Sequence, residues 1–223
     1  MNTAHPDSPG PLLVLDGTLP SHTLLRSLCK YHSPIVAADG AALQLKEHRI
    51  RPDIIVGDLD TIQEHVSDPF FTDCIVAERP DQNDYDGAKA LRWLVEERYD
   101  TVTILGSGGG MIDHVLNNFS LIARFGHMLS ARLVFDDCIG YVTGSAIKLR
   151  TTPGERISLI PLPAATLTTR GLAWDLHDEE LMFGRREGAS NRATGEEISV
   201  QIRNGLVAVF HYERNEALET SDT

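Results

Sequence analysis

Two carboxylates spaced two residues apart follow a short apolar run in the segment from Pro52 to Thr61, Pro-Asp-Ile-Ile-Val-Gly-Asp-Leu-Asp-Thr. The β-branched residues Ile54 to Val56 predict a buried strand, and Gly57 lets the backbone turn where that strand ends. If the chain stays extended beyond Gly57, Asp58 and Asp60 project to one side while Leu59 points back to the protein, so both carboxylates converge on one cation. Hard oxygen donors of this kind suit Mg2+, which keeps several waters and shares the rest of its shell with substrate phosphates. The same residues also fit a polar turn.

A second acidic segment, Asp81-Gln82-Asn83-Asp84-Tyr85-Asp86, runs into a helical pattern that contains Lys89. Asp86 and Lys89 share a helix face three residues apart, at an end where free N–H groups and the macrodipole favour anions. Helix capping plus a surface ion pair is the plainer reading of the same residues. Between a strand pattern and a helix pattern stands Gly106-Ser107-Gly108-Gly109-Gly110, whose backbone amides can approach phosphate. Met111 occupies the place where a dinucleotide fingerprint needs glycine, and no Gly-Lys-Ser/Thr ending of a P-loop follows. Asp113, His114, Asn117 and Asn118 put polar groups on the first turns of the next helix; His114 fits a structural hydrogen-bonding role as well as a catalytic one. No Gly-x-Ser-x-Gly elbow is present and no cysteine has a motif context, which counts against nucleophilic catalysis.

The elements that must position these residues alternate between strand and helix. Leu12 to Leu15, Pro34 to Ala38, Ile54 to Val56, Ile75 to Ala77, Thr101 to Leu105 and Arg132 to Phe135 read as strands. Helices are expected after a Ser21 cap, with Leu24, Leu25 and Leu28 on one face, and from Ala41 to about His48. Two more are expected over Asp84 to Arg98 and Ile112 to Phe125. Such alternation predicts an α/β domain with a largely parallel sheet, in which ligands bind beyond the carboxyl ends of the strands. Asp16, Asp39, Asp58, Asp60 and the glycine-rich turn all fall at that edge.

From about Cys138 the texture changes to short β-rich runs with turn signals, and Asn204-Gly205 between Ile198 to Ile202 and Leu206 to Phe210 reads as a hairpin. The expected organisation is therefore an N-terminal α/β, Rossmann-like parallel-sheet domain over residues 1–137 and a smaller all-β sandwich over 138–223. Leu181 to Glu197, rich in Gly, Arg, Ser and Asn, reads as a long irregular loop of the kind that carries function. The chain of 223 residues is 42% apolar, enough for a sizeable core, and its 32 acidic against 20 basic residues give a net charge of −12. That balance argues against nucleic acid or an anionic membrane as the main partner. Three scattered cysteines, an N-terminus without a basic stretch and apolar core, and no run of membrane-spanning length predict a cytoplasmic protein.

Taken in order, Asp39-Gly40, Pro52-Asp53-x-Ile-Val-Gly57-Asp58-x-Asp60, Asp81-Gln82 with Asp86-x-x-Lys89, Gly109 to His114, and Gly188-Ala-Ser190-Asn191 resemble thiamin pyrophosphokinase. The resemblance covers nearly the whole chain. It implies an ATP-binding α/β domain, a β-sandwich that helps bind thiamin, and a homodimer with active sites between subunits. It makes Asp58, Asp60 and Asp86 the Mg2+ ligands, sets Gln82 and Lys89 beside the polyphosphate and puts Asp113 near the substrate. Asp39, Gly108, Gly109 and His114 join the ATP- and substrate-binding residues, Ser190 and Asn191 contact the aminopyrimidine, and Trp174 either packs on the thiamin rings or belongs to the core. The implied reaction moves the pyrophosphoryl group of ATP to the thiamin hydroxyl, giving thiamin diphosphate and AMP. The alternatives are another primary alcohol such as a hydroxymethylpterin, or a non-catalytic nucleotide- or thiamin-binding regulator. Two residues depart from the family pattern: Met111 replaces an arginine and Tyr85 a threonine. Arg185, Arg186 and Arg192 are candidates to supply the missing phosphate cation.

Overall fold

The computed structural model describes residues 9–62, 64–65, 68–80 and 84–212. Asp81 and Gln82 lie outside the described residues. The chain separates into two compact units, Met1–Asp136 and Asp137–Thr223.

The first unit holds β1 (Leu12–Val14), α1 (His22–Tyr31), β2 (Ile35–Ala38), α2 (Ala41–Glu47), β3 (Ile54–Gly57), β4 (Ile75–Glu78), α3 (Asp86–Glu96), β5 (Thr101–Leu105), α4 (Ile112–Phe125) and β6 (Ser130–Val134). Its strands pair in parallel in the order β6-β5-β1-β2-β3-β4. The chain thus runs outward from β1 to β4 and then crosses back to lay β5 beside β1. That reversal creates a switch point between β1 and β5, where loops leaving in opposite directions open a crevice. Leu12, Val14, Ile35, Ala37 and Ile55 form a core with Leu25 and Leu28 of α1 and Ala41, Ala42 and Leu45 of α2. Each fully buried leucine contributes about 1.5–3 kcal/mol. Helix α3 packs on β2 and β3, with α4 beside it.

Two expectations about helix starts fail in this unit. The Ser21 side chain makes no capping bond; instead the Ser21 N–H donates to both Asp136 carboxylate oxygens at 2.9 and 3.0 Å. Helix α3 begins at Asp86, because the Asp84 carboxylate is held outside the helix by Arg92 and Arg124.

The second unit is all-β and antiparallel: β7 (Ile139–Thr143), β8 (Ile147–Arg150), β9 (Arg156–Arg170), β10 (Glu179–Met182), β11 (Gly188–Arg192) and β12 (Glu197–Tyr212). Strand β12 pairs with β7, β8 and β9, while β9 also carries β10 and β11. Asn204-Gly205 does not make a hairpin. It lies inside β12, with Asn204 opposite Thr166 and Gly205 opposite Ala165, between two register shifts. The positive φ of Gly205 (87°) serves a bulge rather than a reversal, and a Cβ there would stand 2.1 Å from the Ala164 carbonyl oxygen. Nor is Leu181 to Glu197 irregular: it contains the end of β10, a tight turn closed by Arg185 and Arg186 N–H groups on the Met182 carbonyl, and β11. Pairing with β9, and Leu181 at 1% exposure in the core, supply order that the polar local sequence lacks. Among the described residues no helix is long and apolar enough to cross a membrane.

Candidate active site

Two strand ends and one helix start gather an acidic cluster in the first unit. Asp39, directly after β2, is wholly buried, and its carboxylate accepts the N–H groups of Thr61 (2.9 Å) and Ile62 (3.2 Å). It therefore ties the loop after β3 back to β2. Burial raises its pKa above the usual carboxylate range, and the backbone hydrogen bonds offset this only in part.

The chain after Gly57 does not stay extended. Leu59 has φ 68°, in the left-handed region, so the backbone turns between the two aspartates. The Leu59 side chain packs on the core as expected, and the turn itself brings Asp58 and Asp60 together. Carboxylate oxygens of Asp39, Asp58 and Asp60 lie within 4.8 Å of one another. The Asp60 carboxylate accepts the Thr61 hydroxyl at 3.2 Å and is otherwise exposed.

Lys89, on the first turns of α3, sends its ammonium between Asp58 Oδ2 (2.7 Å) and Asp86 Oδ1 (2.9 Å), with its side chain only 1% exposed. Asp86 Oδ1 also accepts the Asp58 N–H at 3.4 Å. The ammonium is buried and its two carboxylate partners are half-buried, so this is a partly buried bridge between the loop after β3 and α3 rather than an exposed surface ion pair. The Lys89 hydrogen bond holds the Asp58 carboxyl below its ordinary range. Burial opposes the charge on Lys89, but its two carboxylate partners prevail and its pKa is raised.

Gly57 is what lets these groups approach: a Cβ there would lie 2.8 Å from Asp39 Cβ and 3.0 Å from Asp86 Oδ1. Its role is close approach, since its φ is not positive. The structure thus unites Asp39, Asp58, Asp60, Asp86 and Lys89.

Gly108 and Gly109 sit at the β1/β5 switch point. The Gly17 N–H donates to the Gly106 carbonyl (3.0 Å) and the Thr18 N–H to the Gly108 carbonyl (2.8 Å), while a Cβ on Gly109 would meet Thr18 Oγ1 at 2.0 Å. The glycines let the two loops zip together. Beside them opens a cavity of about 600 Å3 lined by Asp16, Thr18, His22, Gln44, His48 and Gly110. Asp16 accepts a 2.7 Å hydrogen bond from Gln44, and the His22 and His48 rings stack 5.6 Å apart. Neither histidine lies in a motif, so sequence reading missed both. It also missed the Asp84 bridge from α3 to α4, which joins residues 40 positions apart and has no local signature.

Asp113 and His114 are exposed on the first turn of α4, where the Asp113 carboxylate accepts the His114 N–H at 3.0 Å. Among the described residues neither bonds to the acidic cluster. Met111 precedes them, 61% exposed. In the second unit Trp174 is 66% exposed, which removes the core reading. Ser190, at φ 62°, donates its N–H to the buried Ser158 hydroxyl, and the Asn191 side chain bonds the Trp174 backbone on both sides. Arg186 pairs with Glu179 at 2.7 Å, while Arg185 and Arg192 are exposed.

An acidic cluster with a buried lysine at the carboxyl edge of a parallel α/β sheet, which also carries a glycine-rich turn after β5, is an arrangement of the phosphotransfer class. Sequence models of the catalytic domain and of the vitamin B1 binding domain of thiamin pyrophosphokinase match residues 25–135 and 145–207. The chain belongs to the thiamin pyrophosphokinase family. Thiamine pyrophosphokinase 1 of Arabidopsis thaliana is 28% identical over 227 residues, covering 88% of this chain and 84% of the relative. Thiamin pyrophosphokinase 1 of Caenorhabditis elegans is 25% identical over 189 residues, covering 77% and 76%. The fold is shared with the thiamine pyrophosphokinase of Bacillus subtilis (TM-score 0.74, 19% identity, 92% of this chain and 99% of the other) and with that of Candida albicans (TM-score 0.75, 18% identity, 93% and 90%). The architecture is accordingly a mixed α/β, sheet-rich fold with a catalytic domain and a separate B1-binding domain.

Proposed function

We infer that this protein is a thiamin pyrophosphokinase that transfers the pyrophosphoryl group of ATP to the primary hydroxyl of thiamin. The observation that carries the reading is the convergence of Asp39, Asp58, Asp60, Asp86 and Lys89 at one sheet edge, in a chain that both family models match. The hydroxyl oxygen attacks the β-phosphorus in line; a new O–P bond forms, the bond to the α-phosphate oxygen breaks, and AMP leaves. Such transfers ask the protein mainly for alignment and charge stabilisation.

The donor set fits Mg2+: Asp39, Asp58 and Asp60 present hard oxygens close enough to share one ion. Asp86 adjoins them through Asp58 and keeps Oδ2 outside its bonds to Lys89 and the Asp58 N–H. Asp39, Asp58 and Asp60 would hold Mg2+, which when bound would supply stabilisation of the negative charge that develops during the transfer. Lys89 is committed to Asp58 and Asp86, so we assign it the task of holding those carboxylates apart from each other's repulsion. Asp113, exposed at the start of α4, is the candidate acceptor for the hydroxyl proton. The family resemblance extends the proposal to a Rossmann-like first unit, supported by its parallel strand order, a sandwich second unit, a cytoplasmic location and a homodimer with sites between subunits.

Incubation with ATP, Mg2+ and thiamin should yield AMP and thiamin diphosphate in equal amounts. Asp60→Asn should reduce turnover by about 100-fold or more and weaken the Mg2+ dependence with the fold intact, since Asp60 is exposed. ATP binding by the wild-type protein without any AMP release refutes the assignment.

A further inference from the structure

The Asp84 carboxylate, two residues before α3, is held by guanidinium groups from two helices. Arg92 Nη2 of α3 donates to Oδ2, Arg124 Nη1 of α4 donates to Oδ1 at 3.2 Å, and Arg124 Nη2 donates to Oδ1 (3.2 Å) and Oδ2 (3.4 Å). Arg124 is seated in turn on the ring of the buried Phe125, 4.9 Å from its centroid. The Asp84 side chain is 16% exposed. These bonds fill the about four acceptor positions of a carboxylate, so Asp84 has none left to offer a cation.

What this clamp holds is the start of α3. Tyr85 stands at the N-cap in extended backbone (φ −67°, ψ 154°) without a side-chain capping bond, and it is 62% exposed. A tyrosine cannot bend its hydroxyl back to the first N–H groups as serine, threonine or aspartate does, so α3 lacks the usual device for fixing a first turn. The Tyr85 carbonyl nevertheless accepts the N–H groups of Ala88 (2.9 Å) and Lys89 (3.1 Å) and opens the helix. Clamping Asp84 next to it fixes where that carbonyl stands.

The first turn of α3 carries Asp86, whose Oδ1 accepts Lys89 Nζ at 2.9 Å and the Asp58 N–H at 3.4 Å. The helix start is thus tied on two sides, to the loop after β3 through Asp86 and Lys89, and to α4 through Asp84. A planar guanidinium fork sets direction as well as distance. We propose that Asp84 is a positioning residue that acts through Asp86: clamped by Arg92 and Arg124, it takes over the task of the missing capping side chain and keeps the Asp86 carboxylate at the acidic cluster. This rests on that cluster being the Mg2+ site, and it gives Asp84 itself no contact with metal or substrate.

Metal binding tests this apart from turnover. Mn2+, a hard cation that takes the same oxygen donors, is titrated into the protein and its free concentration read by EPR. Asp84→Asn and Arg124→Gln should each weaken Mn2+ binding roughly tenfold, the lower end for residues that hold a metal's ligands in place. Tyr85→Thr added to Asp84→Asn supplies a capping hydroxyl and should recover most of that loss. On an Asp86→Asn background, Asp84→Asn should change Mn2+ affinity by less than about twofold, because the residue through which it acts is already gone. Full additivity there, or unchanged Mn2+ affinity in Asp84→Asn while its melting temperature falls, overturns the proposal and leaves the Mg2+ reading standing. Tighter Mn2+ binding in Arg124→Gln would show a freed Asp84 carboxylate acting as a ligand and overturns it too. A wild-type protein that neither binds Mn2+ nor yields AMP overturns both readings. The Arg124 side chain is 46% exposed, so Arg124→Gln tests the clamp even if Asp84→Asn does not fold.

Discussion

Replacing Gly57 tests the site at its tightest point. A methyl group there would stand 2.8 Å from Asp39 Cβ and 3.0 Å from Asp86 Oδ1. Because the φ of Gly57 is not positive, Gly57→Ala adds no backbone strain and the whole effect comes from contact. Carbon atoms in contact normally lie about 3.5–4.0 Å apart, so Asp39 Cβ must retreat by about 1 Å. That atom cannot swing aside, since Asp39 is wholly buried and tied to Thr61 and Ile62. Overpacking of this kind costs about 1–3 kcal/mol, which for a chain of this length lowers the melting temperature by about 2–12 °C. The larger effect falls on rate, because displacing positioned groups by about 1 Å costs on the order of 100-fold. Turnover should be followed as AMP and thiamin diphosphate, and stability by thermal unfolding. Gly195→Ala serves as control, since a Cβ there meets nothing within 4 Å. Wild-type turnover and melting in Gly57→Ala would refute the claim that the close approach of Asp39 and Asp86 across β3 shapes the site.

His32 is 3% exposed, and burial pushes its pKa below the ordinary 6.5. The unfolded chain then binds that proton more tightly, so stability is complete above 6.5 and falls as pH drops from there through the folded-state value. Urea unfolding at pH 7.5 and pH 5 should show a loss of up to about 1.4 kcal/mol per pH unit that is absent from His32→Leu; equal slopes in both proteins would contradict it. Met111→Arg, at an exposed position before α4, should preserve or raise ATP affinity by calorimetry, and a tenfold loss would mean the pocket is built around methionine. Burial pushes the Cys29 and Cys138 thiols up to about 11. At pH 8 both should react with iodoacetamide roughly 100-fold more slowly than a free thiol, and rapid labelling at either position by mass spectrometry would contradict that burial.

Much of the first unit is legible along the chain because its information is local. Short β-branched runs, helical spacing of apolar residues and acids placed where strands end report on neighbours in sequence. Asp58, Asp60, Asp86 and Lys89 could be picked out in this way. Their geometry could not: Asp58 and Asp60 converge through a left-handed turn at Leu59 rather than along an extended strand. The second unit is harder to read, since β9 and β12 order each other across long separations. A Gly205 that looks like a hairpin residue becomes a bulge once Ala164 lies against it. Likewise β11 looks like loop until β9 pairs with it.

Residue types, their order and the alternation of apolar runs by themselves determined which chemistry this chain offers: carboxylates at the ends of parallel strands, a carboxylate and a lysine at a helix start, and an aromatic residue in a β-rich second half. Only the tertiary structure decided how those groups are used. The Lys89 ammonium is buried between Asp58 and Asp86, the missing side chain of Gly57 admits Asp39, and Asn191 braces the Trp174 turn. The physical reason is range: strand and helix propensities act over a few residues, whereas desolvation, close approach and hydrogen-bond satisfaction depend on what the folded chain brings within a few ångströms.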